Sequence, residues 1–79
     1  MSKANKKSVK ELFPGIMIGT ESEVIENPFS GEKFLCTPEE VAVYDYLKGC
    51  ELIQDYKSLR KGLEWFIENN SAAYMVLLD

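Results

Sequence analysis

Two cysteines and a group of acidic residues are the side chains of this 79-residue chain with the most familiar chemistry. Cys36 and Cys50 lie 14 positions apart, and such a thiol pair could form a redox centre. Free cysteines are more often buried in protein cores, where they pack as small apolar side chains. Because Cys50 falls on the apolar face of a predicted helix, we interpret both thiols as core residues.

The carboxylates Glu39, Glu40 and Asp45 could serve as an acid–base pair or bind a divalent cation. Their spacing does not match a calcium-binding loop, and charged residues on a helix usually face solvent. The chain has no histidine, which excludes histidine-activated nucleophiles, and two cysteines cannot complete a thiolate zinc site. No glycine-rich nucleotide fingerprint occurs. We therefore predict a non-enzymatic protein without a metal or cofactor.

The length and composition predict one small soluble domain. The chain is 46% hydrophobic and 28% charged, as in ordinary globular proteins. No apolar run approaches the roughly 18 to 20 residues needed to cross a bilayer, and the N-terminus lacks the apolar segment of a secretory signal. We expect an intracellular protein that does not bind a membrane.

The charge is distributed unevenly along the chain. Residues 1–10 contain four lysines and no acid, whereas the remainder carries a net charge of −8. We predict a flexible basic arm over residues 1–10 and a single domain over residues 11–79. The acidic domain argues against a duplex-binding face, so the arm is the candidate nucleic-acid-binding element. Its lysines are Lys3, Lys6, Lys7 and Lys10.

The segment "ENPFSGEKFLCTPEE" predicts a β-hairpin followed by a helix. Residues 22–27 and 32–36 are short apolar runs, and Pro28 and Gly31 between them are typical of a turn. Thr37 and Glu40 match a capping box, and Pro38 suits the first helical position. The expected core face of this helix consists of Val43, Tyr46, Leu47, Cys50 and Ile53.

Two further helices complete the predicted α+β fold, in which the hairpin precedes two antiparallel helices and a short C-terminal helix. The second long helix runs from Tyr56 or Lys57 to Asn69, with an Arg60–Glu64 charge pair on its outer face. Residues 71–78 are compatible with a helix or a strand, and their alanines and leucines favour the helix.

Gly49 either permits the close approach of another element or ends the first long helix early. Residues 12–20, around a Pro-Gly pair, are expected to be irregular or a short strand that packs on the domain.

The candidate interface lies on the side of the helices opposite the predicted core. Trp65 points away from the apolar stripe of its own helix, and tryptophan is enriched among residues that dominate partner binding. Alternatively, the C-terminal segment or the hairpin covers Trp65 within one chain. The first long helix carries a second apolar strip on its outer side, so we predict an interface formed by Val41, Tyr44, Leu52 and Trp65.

The strings "NPFSGE", "TPEEVAVYDYLKGCE", "KGLEWF" and "AYMVLLD" resemble a family of small proteins of tailed bacteriophages, particularly marine phages of the T4 group. The likeness covers roughly residues 22–79. The family has no assigned activity, so the resemblance transfers no catalytic or binding residue. It implies a viral protein in the cytoplasm of an infected bacterium, with a small accessory role.

The leading functional hypothesis is an accessory protein that acts through protein–protein interaction. Its expected partner is an unidentified phage or host protein, or a second copy of the chain in a homodimer. The alternative hypothesis is a nucleic-acid-associated accessory factor that uses the lysine-rich arm.

Overall fold

The start of the first long helix is set by its sequence. In the computed structural model, which describes residues 8–79, helix α2 spans Pro38–Ile53. The Thr37 hydroxyl accepts a hydrogen bond from the Glu40 backbone N–H, and the Glu40 carboxylate accepts one from the Thr37 N–H. These reciprocal bonds satisfy two backbone donors at the helix start, as the predicted capping box requires.

The other elements follow from turns and caps on either side of α2. They are helix α1 (Val9–Leu12), strands β1 (Glu23–Glu26) and β2 (Lys33–Cys36), helix α3 (Tyr56–Asn69) and helix α4 (Ser71–Leu77). The predicted α+β class is confirmed, with a hairpin followed by two antiparallel helices and a short C-terminal helix. The C-terminal segment is helical, capped by the Asn70 side chain, which accepts a hydrogen bond from the Ala73 N–H.

The hairpin presents one face to the helices and the other to solvent. The strands are antiparallel, with Ile25 opposite Phe34 and Val24 opposite Leu35. Because side chains alternate along a strand, Ile25, Phe34 and Cys36 share the inner face. Val24 and Leu35 form an exposed pair on the outer face. The sheet lies against α2 and α4, which provide the support that an isolated hairpin needs.

One hydrophobic cluster joins the elements. The fully buried side chains at its centre come from the segment after α1, from β2 and from the two long helices. They are Phe13, Cys36, Val43, Leu47 and Phe66. The Phe13 ring packs edge-on against Tyr46, with ring centroids 5.1 Å apart, and thereby attaches the N-terminal segment to α2.

The N-terminal segment differs from the prediction. Val9 and Lys10 were expected in the flexible arm, but they belong to α1, where Val9 is buried in the core. Ser8 and Glu11 form a capping box at the start of this helix. The Ser-Val-Lys-Glu pattern was therefore a readable helix signal that the surrounding lysines obscured. After α1, residues 13–22 are irregular, as expected for the segment around Pro14 and Gly15.

The end of α2 also corrects the prediction. Ile53 was expected on the core face, but it is largely exposed. The helix ends at Gln54, whose left-handed backbone (φ 59°) reverses the chain. The last turn of α2 thus lies at the tip of the helical hairpin, where no described element packs over Ile53.

Arg60 and Glu64 of α3 form no ion pair within the described chain, in contrast to the expected pair.

The glycine at which two helices approach closely is Gly62 and not Gly49. Gly49 has open space around its missing side chain and lies inside a continuous helix, so it neither permits a close approach nor ends α2. Gly62 of α3 is the close-contact position. A Cβ atom there would lie 2.9 Å from Leu47 Cγ, well inside van der Waals distance. Helices α2 and α3 therefore pack closely because position 62 has no side chain.

No helix within residues 8–79 combines the length and the apolar character needed to cross a bilayer.

Candidate interaction surface

Both cysteines are buried thiols. Burial, together with the smaller effect of the Glu40 charge, raises the pKa of Cys36 to about 11. Burial and the charge of Asp55 also raise the pKa of Cys50. Since the thiolate is the reactive form of cysteine, both side chains are poor nucleophiles at neutral pH. The interpretation of Cys36 and Cys50 as core residues agrees with their burial.

The carboxylates considered for acid–base chemistry do not converge on one site. Glu39 and Asp45 are exposed, whereas Glu40 is buried and already has two structural partners. One oxygen of Glu40 accepts the Thr37 N–H, and the other accepts a 2.8 Å hydrogen bond from the Asn70 side-chain amide. Within residues 8–79, no cluster of three acidic or cysteine side chains has the geometry of a metal site.

The predicted interface residues are not gathered on one open surface. Trp65 retains only 8% of its exposure, and Tyr44 is similarly buried. The Lys48 ammonium lies 5.2 Å from the centre of the Tyr44 ring. Val41 is half-buried and lines an open groove of about 330 Å³ together with Met17. Of the four predicted residues, only Leu52 is fully available, with 86% exposure.

Trp65 is covered within one chain, which was the alternative that the sequence left open. It packs edge-on against Phe66, with ring centroids 5.1 Å apart, and belongs to the same cluster as Ala73 and Leu77 of α4. The helical wheel of α3 placed Trp65 away from the core because a wheel shows the apolar stripe of one helix and not the elements that pack on its other sides. In the tertiary fold, α3 is packed on more than one side, so its buried arc is wider than that of a simple amphipathic helix.

Of the lysines assigned to the nucleic-acid arm, only one can be placed. Lys10 is exposed on α1. Lys3, Lys6 and Lys7 lie outside the described residues.

A groove between the hairpin loop and the helices is the apolar surface that the sequence did not reveal. Its volume is about 220 Å³. Leu47 of α2 and Leu59 and Leu63 of α3 contribute to its walls, together with Leu77 and Leu78 at the end of α4. This volume is below the roughly 300 to 1,000 Å³ of typical small-molecule pockets. The groove is therefore suited to one large apolar side chain rather than to a whole cofactor.

The rim of this groove carries an exposed aromatic ring. Phe29, in the hairpin loop, lines the groove while 94% of its surface remains accessible. On the opposite side, Lys48 and Glu51 of α2 form a 3.5 Å ion pair. Leu52 lies one helical turn after Lys48, so its exposed side chain extends the apolar surface beyond that rim. We call this surface, from Phe29 across the groove to Leu52, the loop groove.

The position of Phe29 is fixed by Asn27. The side-chain oxygen Oδ1 of Asn27 accepts hydrogen bonds from the Phe29 and Ser30 N–H groups, which shape the loop. Its amide nitrogen donates a 2.9 Å hydrogen bond to the Val76 carbonyl of α4. The Val76 carbonyl lies in the last turn of the helix, where carbonyls have no intrahelical donor. Asn27 thus caps the end of α4 and holds the loop against the helices.

Sequence reasoning treated Pro28 to Gly31 only as a turn. The aromatic residue in the Pro-Phe-Ser-Gly loop was the available signal, and it is a weak one because single exposed apolar residues are common at protein surfaces.

Comparisons of the chain with protein-family models, with curated proteins and with solved structures find no match. The candidate surface is therefore assigned from its geometry and chemistry alone.

Proposed function

We propose that this protein is a small interaction module that binds another protein through the loop groove. The observation that supports the proposal is the combination of Phe29, exposed on the rim, with leucine side chains in the walls beneath it. When a partner covers exposed apolar surface of this kind, each Å² removed from water contributes roughly 25 cal/mol of favourable free energy. The proposal does not depend on the bacteriophage resemblance.

The charges on the rim indicate the chemistry of the partner. Glu51 and Asp79 line the groove with one cation, Lys48, which is already paired with Glu51. The remaining acidic character favours a basic group next to the inserted side chain. We therefore propose a partner segment in which a large apolar residue is followed or preceded by lysine or arginine.

A displayed library of random peptides tests this proposal without knowledge of the natural partner. The expected result is enrichment of peptides that combine a large apolar residue with a neighbouring basic one. Phe29→Ser should weaken their binding at least tenfold, because it removes the aromatic side of the groove. Met75→Ser is the matched control, since Met75 is also exposed but is not part of the loop groove. Enriched peptides that bind Phe29→Ser as tightly as the native protein, or no enrichment at all, would contradict the proposal.

A further inference from the structure

Positive charge is concentrated in two segments of the sequence. Residues 1–13 and 55–61 contain seven of the nine cations and only two of the thirteen acids. Together these two segments carry a net charge of +5, and the rest of the chain carries −9. The overall acidity of the protein conceals two basic segments, and none of their cations within residues 8–79 lines the groove.

The tertiary fold brings the two basic segments together. The Lys61 ammonium of α3 lies 5.6 Å from the centre of the Phe13 ring, just after α1. Lys10 precedes Phe13 by three positions in this segment. We call the surface formed by Lys10, Tyr56, Lys57, Arg60 and Lys61 the basic face.

Lys61 is the cation of the basic face that stabilises the fold, through its contact with the buried Phe13 ring. Lys57 lies in the first turn of α3, where the helix dipole disfavours positive charge. Lys57 and Arg60 form no ion pair with any described residue. The two acids of the region serve as helix caps, since Glu11 accepts the Ser8 N–H and Asp55 accepts the Ser58 N–H. The Ser58 hydrogen bonds lower the pKa of Asp55, and the charges of Lys57 and Lys61 lower it further. Because no ion pair within residues 8–79 holds Lys57 or Arg60, both side chains can still contact a ligand.

An exposed aromatic ring accompanies these cations. Tyr56 begins α3 and is 63% exposed. Arg60 follows it by four positions, so the two side chains are neighbours on the helix surface. An accessible aromatic ring among cations is the combination that binds single-stranded nucleic acid, because cations contact phosphates and the ring stacks on an unpaired base.

We infer that the basic face binds single-stranded nucleic acid, with Lys10, Lys57 and Arg60 contacting phosphates and Tyr56 stacking on a base. This inference goes beyond the proposed protein interaction and is independent of it. Duplex nucleic acid would use the cations but would not present an unstacked base to Tyr56.

Fluorescence anisotropy with a labelled oligothymidylate tests the inference. The native chain should bind at low salt, with affinity that falls linearly on a logarithmic scale as salt increases. The double variant Lys57→Gln/Arg60→Gln should bind at least tenfold more weakly. The slope of the logarithm of its affinity against the logarithm of salt concentration should be shallower by about 1.4, because each of two lost phosphate contacts contributes about 0.7.

A matched control has the same charge change elsewhere. Lys33→Gln/Lys48→Gln removes the two cations outside the basic region and should reduce affinity much less. Tyr56→Ser should weaken binding by about 5- to 100-fold, the range for loss of one stacked base, whereas Tyr56→Phe should retain it. Circular dichroism of each variant confirms that it folds.

Other outcomes would overturn the inference. One is no binding by the native chain at low salt, and another is an equal loss of affinity in the two double variants. A third is displacement of the oligonucleotide by an acidic polypeptide as readily as by unlabelled oligonucleotide. The single-strand assignment would be wrong if the native chain bound duplex as tightly as single strand and Tyr56→Ser weakened neither. Phe29→Ser should leave oligonucleotide binding unchanged, so this result and the peptide result can fail separately.

Discussion

The carboxylate of Glu40 and the side-chain amide of Asn70 are joined by a 2.8 Å hydrogen bond across 30 positions of sequence. Each residue also caps a helix, because Glu40 accepts the Thr37 N–H and Asn70 accepts the Ala73 N–H. The start of α2 and the junction of α3 with α4 are thus held by one polar network. A buried carboxylate is tolerated here because both of its oxygens have donors.

Asn70→Asp tests this network. The new side chain can still cap α4, but it places a second carboxylate against Glu40. At pH 7 we expect unfolding to require about 2–3 kcal/mol less than in the native protein. Repulsion raises the pKa of the new carboxylate above its unfolded value of about 4. The deficit should therefore be small below pH 4 and grow as pH rises through the raised pKa.

Urea unfolding between pH 4 and 7 measures this dependence. The double variant Glu40→Gln/Asn70→Asp reverses the roles of donor and acceptor, and it should recover most of the lost stability at pH 7. A deficit in Asn70→Asp that does not change with pH, relative to the native protein, would argue against the network.

Gly62→Ala should destabilise the protein by about 1–3 kcal/mol, because the added methyl group overlaps Leu47 in a closely packed interface. Gly49→Ala is the matched control, since both positions lie inside long helices. At Gly49 the space is open, so alanine should stabilise the protein by up to about 1 kcal/mol through its higher helix propensity. Thermal and urea unfolding of both variants measure these changes, and equal effects would contradict the assigned helix contact.

Asn27→Asp separates the two roles of the loop asparagine. The aspartate can still accept the Phe29 and Ser30 N–H groups, but it cannot donate to the Val76 carbonyl. We expect a loss of about 1–3 kcal/mol, because a part-buried carbonyl is left opposite a carboxylate. Hydrogen exchange should become faster in the last turn of α4. Ser30→Ala, which alters the loop without touching Val76, should leave that exchange unchanged.

The stability of the protein should fall between pH 9 and about 11. The thiol of Cys36 ionises near pH 9.0 when unfolded but only near a pKa of about 11 in the fold, so the unfolded state loses its proton first. Below pH 9 this difference contributes about 2–3 kcal/mol to the free energy of unfolding, and the contribution is lost as pH rises to about 11. Cys36→Ala should show a shallower decline over this range, whereas Cys50→Ala retains the Cys36 contribution. Thiol-reactive labelling at pH 8 should be slow for both cysteines until the protein unfolds.

The sequence by itself determined the local elements of this protein. The Thr37-Pro38-Glu39-Glu40 motif placed the start of α2, the Pro28 to Gly31 turn placed the hairpin, and the alanine- and leucine-rich end favoured the last helix. Each of these signals depends on neighbours a few positions away, where backbone caps and turn geometry act. The overlooked Ser8–Glu11 capping box has the same local character and was equally available.

Only the tertiary structure decided which surfaces are open. Trp65 and Tyr44 looked exposed on a helical wheel, but neighbouring elements cover them. Phe29 looked like part of a turn, yet Asn27 ties its loop to α4 and holds the ring on the rim of a groove. Likewise, the packing of Phe13 against Tyr46 and Lys61 attaches the N-terminal segment to α2 and α3. These relationships involve residues far apart in sequence, and the periodicity of one helix carries no information about what packs against it.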